Sequence, residues 1–279
     1  MTTSWQQAAL FNTVLIEAHS ASGNESWKGT GFFVLYVHDS DSELFVVSNR
    51  HVLQKEKGIN YTITLHRKST SNSGLSLTHG KKVIYIDPLA PIKERLQTEE
   101  NYYGHPDKNV DLACIKCSNL LARNDAVIVP LSQAMILDWD KSNLYPTQPV
   151  MFVGYPDGII DRAHNLPVAR CGAIASMPML DFDGRPNFLI DAQVWPGSSG
   201  SPVFVAGNTP EAPFSLVGVV HSTQPKRGQP DTLIGLGYAV KSSELAILFN
   251  NIFRERENSS FGLVNCCRTF PAHIPTGTR

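Results

Sequence analysis

The stretch Trp195–Phe204, WPGSSGSPVF, predicts a tight turn that leads directly into a β-strand. Gly197 and Gly200 permit backbone angles that a side chain would forbid, and the residues after Pro202 have the composition of a strand. A hydroxyl held on such a turn, as at Ser199, projects into a cleft, and neighbouring backbone N–H groups can converge on one point beside it. The turn is therefore a candidate nucleophile loop, with an ordinary Gly/Ser-rich surface turn as the alternative.

A serine is a poor nucleophile at neutral pH, so this turn needs a base and a group that orients the base. His51 stands where the strand that begins at Leu44 runs out into a turn, which aims its ring at a surface cleft. Asp111 stands at the entry of an apolar strand, where a carboxylate is costly to bury unless it is hydrogen-bonded. Asp107 is the competing acid, but it lies in a polar loop. The chain order His51, Asp111, Ser199 is that of chymotrypsin-type triads.

Composition places the chain among ordinary globular proteins. Its 279 residues are 42% hydrophobic and 18% charged, enough for one large core or two small ones. The net charge of -1 gives no strong field that would draw the protein to nucleic acid or to an acidic membrane, so we expect neither as a partner. No apolar run is long enough to span a bilayer, and the polar N-terminal residues do not form a signal peptide, so we expect a cytoplasmic location.

The five cysteines do not indicate a disulfide framework, because their number is odd and their spacing is irregular. Cys114 and Cys117 have the spacing of a metal knuckle, but they stand on a predicted strand, where residues three apart face opposite sides. No second Cys/His pair has suitable spacing, so we expect no metal site and no cofactor. Free thiols in a reducing compartment are the default expectation. The cysteines are Cys114, Cys117, Cys171, Cys266 and Cys267.

Short β-strands joined by turns dominate the chain from Thr13 onward, at the spacing of hairpins. Three stretches are expected to be helical: 5–12, 92–101 in a connecting segment, and 242–250, where Ser242 and Glu244 suit a helix N-terminus. Many short strands with frequent turns favour barrels or sandwiches over α/β layers.

Six motifs in the same order make the chain similar to the trypsin-like (chymotrypsin-fold) serine peptidases. They run from about Thr13 to about Phe249 and so cover nearly the whole chain. The motifs are Gly29-Thr30-Gly31-Phe32, Ser48-Asn49-Arg50-His51-Val52, Asp111-Leu112-Ala113, Gly154-Tyr155-Pro156, Gly197-Ser198-Ser199-Gly200-Ser201-Pro202 and Gly237-Tyr238-Ala239-Val240.

Within that family the chain resembles the bacterial, disulfide-free branch, such as the HtrA heat-shock proteases and the glutamyl endopeptidases. Val52 follows the histidine where secreted animal enzymes carry cysteine, and Ser198 stands where zymogen-activated members carry an aspartate. The resemblance therefore implies that this activation switch is absent.

The resemblance implies an all-β fold of two six-stranded Greek-key β-barrels with a C-terminal helix. The peptidase domain is expected over 1–257, with a polar tail at 258–279. Within the domain the expected parts are a first barrel at about 10–122, a crossover at 123–147, a second barrel at about 148–241 and a helix at 242–250.

The resemblance also implies a serine endopeptidase that works through an acyl-enzyme. Ser199 would be the nucleophile, His51 the general base and acid, and Asp111 the group that fixes the imidazole tautomer. The backbone N–H groups of Gly197 and Ser199 would form the oxyanion hole. The expected partner is a protein or peptide substrate.

Family position places Gln193 and Val194 at the base and wall of the primary pocket. The strand around His221, Ser222 and Thr223 is expected to pair with the substrate backbone. Gln193 is neutral, so a preference for Lys or Arg is not supported. His221 comes one residue later than the histidine of peptidases that prefer Glu or Gln, so a specificity role and a structural role near the triad both remain open.

Two other classes of function stay open from the sequence. One is a catalytically silent binding module of the same fold, against which the presence of all three triad residues argues. The other is an esterase that uses the same triad. A cytoplasmic peptidase without a propeptide switch needs restraint, which predicts either high selectivity or a regulatory protein partner.

Overall fold

Two β-sheets account for most of the computed structural model, which describes residues 4–39, 41–54, 58–71, 75–79, 82–207, 213–226 and 229–266. The first sheet contains ten strands, with the order β5-β6-β4-β1-β2-β3-β8-β7 and with β9 and β10 on β4 and β2. Its strands are β1 Thr13–Ser20, β2 Ser26–His38, β3 Asp41–Ser48, β4 Ile59–Lys68, β5 Ser76–His79, β6 Lys82–Leu96, β7 Tyr102–Gly104, β8 Ala113–Lys116, β9 Ala126–Val127 and β10 Leu131–Ser132.

The second sheet is a closed six-stranded barrel with the order β11-β12-β13-β16-β15-β14. All of its neighbouring strands pair antiparallel. Its strands are β11 Pro149–Gly154, β12 Val168–Ile174, β13 Asn187–Asp191, β14 Pro202–Ala206, β15 Phe214–Lys226 and β16 Gln229–Lys241. Short 3-10 helices lie at Ser118–Ala122, Gln133–Met135, Trp139–Lys141, Pro156–Gly158 and Phe182–Gly184.

The alternation of side chains along β2 places its residues in two different hydrophobic clusters. Phe32 and Val34 of β2 are buried in a cluster that also contains Phe204 of β14, whereas Phe33 between them belongs to a cluster inside the first sheet. Successive side chains of a strand point to opposite faces, so one strand serves both cores. This shared core packs the first sheet against the second.

Two α-helices cover the sheets. α1 spans Trp5–Asn12 and starts with a capping box in which Ser4 and Gln7 satisfy each other's backbone N–H groups. α2 spans Ser243–Cys266 and buries an apolar face of residues that recur at helical spacing. The buried residues of that face are Leu245, Leu248, Phe249, Ile252 and Phe253. No helix in the described part of the chain has the length and apolar character needed to cross a membrane.

The predicted all-β fold with a C-terminal helix is confirmed, with three differences in detail. The first sheet has ten strands where six were expected. The predicted helix at 92–101 is wrong, because β6 continues to Leu96 and pairs Ile92 with Leu65 on β4. α2 continues to Cys266, past the expected end at 250 and into the predicted tail. The tail from 267 to 279 lies outside the described residues, and the domain boundaries stay predictions.

Candidate active site

The ends of β3 and β8 bring His51 and Asp111 to the same place. The two strands pair antiparallel, with Ser48 opposite Ala113. His51 follows Ser48 by three residues and Asp111 precedes Ala113 by two, so both leave the sheet at the same end. The turn after β3 is closed by backbone hydrogen bonds from Val52 and Leu53 to the Asn49 carbonyl, which gives the His51 ring a defined direction.

Two hydrogen bonds join His51 to the Asp111 carboxylate. The backbone N–H of His51 donates to Oδ1 at 3.1 Å, and the ring Nδ1 lies 2.6 Å from Oδ2. Asn49 adds a third link by donating from Nδ2 to the backbone carbonyl of Asp111 at 2.8 Å. The carboxylate therefore contacts both the backbone and the ring of the histidine, which fixes the ring plane and leaves Nε2 as the outward nitrogen.

The charge state of Asp111 follows from these contacts. Burial raises the pKa of Asp111, but the hydrogen bonds from the His51 ring and backbone, together with the electrostatic attraction of the His51 imidazole, lower it more. The pKa of Asp111 thus lies below its ordinary value, and the carboxylate is ionised at neutral pH. An ionised carboxylate at 2.6 Å favours the His51 tautomer with its proton on Nδ1.

Ser199 lies on the turn between β13 and β14, where the chain needs two residues in the left-handed region. Gly197 has φ +86° and Gly200 has φ +89°. An ideal Cβ on Gly200 would lie 1.9 Å from the Thr30 backbone oxygen, so only glycine lets this turn approach the first sheet so closely. The N–H of Gly200 donates to the Val220 carbonyl, which ties the turn to β15 as well.

The Ser199 hydroxyl donates to the backbone carbonyl of His221 at 3.3 Å. Among the described residues it makes no hydrogen bond to the His51 ring. His221 in turn places its ring Nδ1 4.0 Å from Asp111 Oδ2, the oxygen that also holds His51. The structure therefore brings His51, Asp111, Ser199 and His221 into one cluster, with the serine hydroxyl turned toward the His221 backbone.

The backbone N–H groups of Gly197 and Ser199 are available as donors. Neither makes a hydrogen bond to another residue in the described part of the chain, and both residues are only half-buried. Unpaired N–H groups at a partly buried turn need an external acceptor, since leaving them empty costs free energy. Two such donors beside a serine hydroxyl can stabilise a negatively charged oxygen.

His221 lies at a β-bulge in β15. The pairing register with β16 shifts between Val220 and Ser222, so His221 is the extra residue of the bulge and its side chain turns toward Asp111. Burial lowers the pKa of His221 to about 4, and the opposing attraction of Asp111 is weaker. The imidazole is therefore neutral at pH 7.

The residues predicted to bind substrate lie in different environments. Val194 is buried in the core of the second barrel, where it faces the Cα of Gly237, and Gln193 beside it is exposed. Ser222 and Thr223 are half-buried and pair with Tyr238 and Gly237 of β16. Ser222 and Thr223 thus lie on β15, whereas Gln193 and Val194 lie at the start of the nucleophile turn. No hydrogen bond among the described residues joins Gln193 to the other three.

Sequence reasoning missed two residues that support the site. Asn49 lies two residues before His51 and was given no role, yet its amide donates a hydrogen bond to the Asp111 backbone carbonyl. Thr30 lies between the two glycines of its own motif, and its hydroxyl donates to the Gly197 carbonyl at 2.8 Å. In the second case the available signal was a polar residue two positions before the apolar run that begins at Phe32.

No group of three His, Cys, Asp or Glu side chains among the described residues is arranged to hold a metal ion. Cys114 is buried in the core shared by the two barrels, whereas Cys117 is buried in the separate cluster of the first sheet. The two thiols therefore face different cores, and no pair of ligands forms between them.

Comparisons with known proteins place the chain in a family. Residues 29–209 match the model of the trypsin-like peptidase domain. The active form of the Rv3671c protease from M. tuberculosis is 19% identical to this chain with a TM-score of 0.48, and the match covers 87% of this chain and 81% of that protein's chain. The inactive form of a serine-to-alanine mutant of Rv3671c from M. tuberculosis H37Rv is 18% identical to this chain with a TM-score of 0.43, and the match covers 86% of each chain. No curated protein matches the chain. The chain belongs to the trypsin-like peptidase family and is a serine endopeptidase.

Proposed function

We propose that Ser199, His51 and Asp111 act as a catalytic triad that hydrolyses peptide bonds through an acyl-enzyme. The observation that carries this proposal is the double contact of Asp111 with the backbone and the ring of His51. A carboxylate in that position holds the tautomer in which Nε2 accepts a proton, which a base for a serine nucleophile requires.

The proposed reaction begins when the Ser199 oxygen attacks the carbonyl carbon of the scissile bond and His51 Nε2 takes the hydroxyl proton. The tetrahedral intermediate collapses, the C–N bond breaks, and His51 gives the proton to the leaving amine. A water then attacks the ester, passes its proton to His51, and Ser199 recovers it as the acid product leaves. Asp111 stays ionised throughout and stabilises the imidazolium.

The unpaired N–H groups of Gly197 and Ser199 support an oxyanion hole. Each such donor contributes roughly 3–4 kcal/mol to stabilising the transition state in comparable enzymes. For attack, the Ser199 hydroxyl must rotate away from the His221 carbonyl and donate to His51 Nε2. Catalytic hydrogen bonds often form only when substrate is bound, so the orientation in the free protein is compatible with this role.

The substrate is proposed to bind as an extended strand along β15. Ser222 and Thr223 pair only with β16 among the described residues, so the other edge of this segment is free to accept a peptide. Gln193 is neutral and exposed, and we therefore expect no preference for Lys or Arg at the scissile bond. We propose that selectivity or a regulatory protein partner restrains the enzyme, and that it works in the reducing cytoplasm, where the free thiols of Cys114, Cys117 and Cys171 persist.

Replacing the nucleophile tests the proposal. Ser199→Ala is expected to abolish peptide cleavage and labelling by a fluorophosphonate probe, with an unchanged unfolding transition. Ser201→Ala is the matched control, because it removes a buried hydroxyl from the same turn that has no hydrogen-bond partner among the described residues. This control is expected to cleave like the parent.

Three results would contradict the proposal. If Ser199→Ala cleaved peptides as fast as the parent, Ser199 would not be the nucleophile. A parent that neither cleaves peptides nor reacts with the probe would be a silent binding module. A parent that reacts with the probe and hydrolyses a panel of esters but no peptide would be an esterase with the same triad.

A further inference from the structure

Thr30 of β2 makes four polar contacts, two of which connect the first sheet to the nucleophile turn. Its hydroxyl donates to the Gly197 carbonyl at 2.8 Å and accepts from the Tyr155 N–H at 3.0 Å. Its backbone N–H donates to the Ser199 carbonyl at 2.9 Å, and its backbone oxygen accepts from the Ser48 hydroxyl at 2.6 Å. Thr30 is fully buried, so these contacts are shielded from water.

The direction of the Gly197 N–H depends on the peptide unit that precedes it. In a planar trans peptide the N–H points opposite to the carbonyl of the preceding residue. That carbonyl belongs to Pro196, and the backbone N–H of Asp157 donates to it at 2.6 Å. The Gly197 N–H is therefore directed away from Asp157, on the opposite side of its peptide plane.

The same reasoning applies to the Ser199 N–H. The preceding carbonyl belongs to Ser198 and accepts from the Ser201 N–H at 3.0 Å. Between these two peptide planes lies a third, formed by the Gly197 carbonyl and the Ser198 N–H. The hydroxyl of Thr30 holds the carbonyl of that middle plane, and the carbonyl of Trp195 accepts from its N–H at 3.0 Å.

The middle plane needs such a contact, because glycine offers little resistance to rotation. Gly197 lies at φ +86°, and a glycine reaches other backbone regions at low cost. Ser198 does not hold the plane through its side chain, since its buried hydroxyl has no hydrogen-bond partner among the described residues. The side-chain contact that spans from the first sheet to this plane is that of Thr30.

We propose that Thr30 is a positioning residue of the oxyanion hole, whose hydroxyl keeps the Gly197–Ser198 peptide in the orientation that leaves both donor N–H groups facing the substrate carbonyl. This inference rests on the proposed function of the Ser199 turn and adds a residue to it. It also means that the docking of the first sheet against the second barrel helps to assemble the hole.

Three variants test this role. Thr30→Val keeps the shape of the side chain but removes both hydroxyl contacts, and Thr30→Ser keeps the hydroxyl. Thr13→Val is the matched control: Thr13 is also buried in the first sheet, and its hydroxyl donates to the Ala9 carbonyl at 2.9 Å, away from the turn. kcat and KM for a cleaved peptide and the inhibition constant of a peptide boronate, which forms a tetrahedral adduct at the serine, are measured for all three.

Thr30→Val is expected to lower kcat and weaken boronate inhibition by about 10- to 100-fold, with KM changed by less than about twofold, because the hole acts only on the tetrahedral state. Thr30→Ser and Thr13→Val are expected to stay within about threefold of the parent in all three quantities. Urea unfolding of each variant shows that the assays use folded protein. If Thr30→Val does not fold, Thr30→Cys replaces it, since a thiol is a weak donor.

The failure of this inference is distinguishable from the failure of the proposed function. If Thr30→Val, or Thr30→Cys in its place, had the same kcat and boronate inhibition as Thr13→Val, the role of Thr30 would be overturned. The proposed function would stand in that case, as long as cleavage still required Ser199. Thr30→Ser as impaired as Thr30→Val would overturn it too, because the hydroxyl would not be what matters. Peptide cleavage that survives Ser199→Ala would remove the proposed function and the inference together.

Discussion

The acid–base pair and the nucleophile turn of the candidate site are held by different parts of the molecule. His51 and Asp111 leave the same end of β3 and β8, two paired strands of one sheet, and hydrogen bonds at 2.6 and 3.1 Å join them. Ser199 belongs to the second barrel, and its turn is fastened to Thr30 of the first sheet and to Val220 of β15. Its hydroxyl meets the His221 carbonyl.

This difference teaches which contacts control which half of the site. The pair stays aligned as long as one sheet is intact, because its two members follow and precede paired strands of that sheet. The positions of the Ser199 hydroxyl and of the two donor N–H groups also depend on how the first sheet docks against the second barrel. Substitutions at the interface between the barrels should therefore disturb the nucleophile turn while the pair remains joined.

The largest effect after that of Ser199→Ala is expected from Asp111→Asn, which breaks the acid–base half. An amide that donates to the His51 ring favours the wrong tautomer and cannot stabilise an imidazolium, so kcat for peptide cleavage should fall by about 10⁴-fold with the fold intact. Steady-state kinetics and the unfolding transition measure both. Asp107→Asn is the control, because among the described residues the Asp107 carboxylate makes one hydrogen bond, which it accepts from the Asn109 N–H of its own loop at 2.8 Å. Equal losses in the two variants would contradict the assignment of Asp111.

The second effect concerns the contact between the barrels. Gly200→Ala would place its Cβ 1.9 Å from the Thr30 backbone oxygen, which is a collision, so the turn or the sheet must move. We expect the free energy of unfolding to fall by about 3 kcal/mol or more, together with loss of cleavage.

Gly184→Ala is the control for Gly200→Ala. Gly184 also has a positive φ, +68°, but nothing lies within 4 Å of the point that a Cβ would occupy, so only the backbone strain of about 1 kcal/mol applies. Denaturant unfolding of both variants separates strain from collision. Equal destabilisation would show that the close approach to Thr30 does not matter.

The smallest effect concerns the free energy of unfolding and a histidine buried in the first sheet. His66 of β4 is buried with its ring 5.1 Å from that of Phe11, and burial lowers the pKa of His66 to about 4. Between pH 6.5 and about pH 4 the unfolded chain binds a proton at this histidine while the folded chain does not, so lowering the pH through this range favours unfolding. Between pH 7.5 and pH 5 this histidine should remove about 2 kcal/mol from the free energy of unfolding.

His66→Leu tests that expectation by removing the titrating group. Its free energy of unfolding should fall by about 2 kcal/mol less than that of the parent over the same pH interval, with cleavage at pH 7.5 retained. Urea unfolding at both pH values measures the difference. A variant with the same acid sensitivity as the parent would show that His66 is not the group that titrates.

The fold class was predictable because hairpin spacing and alternating strands are local features of the sequence. The helix predicted at 92–101 failed because Ile92 and Leu96 pair with Leu65 and Tyr61 across a sheet, and such long-range pairing overrides local propensity. The extra short strands of the first sheet escaped prediction for the same reason, since two-residue pairings such as β9 on β4 leave no pattern.

The candidate residues His51, Asp111 and Ser199 and their order follow from the amino-acid sequence, because strand ends and glycine-rich turns carry local signatures. The role of Thr30 and the position of His221 do not. They depend on which backbone carbonyl meets which hydroxyl across the two barrels and on a one-residue bulge in β15. Such contacts join residues up to 167 positions apart, and only the packed chain determines their distances.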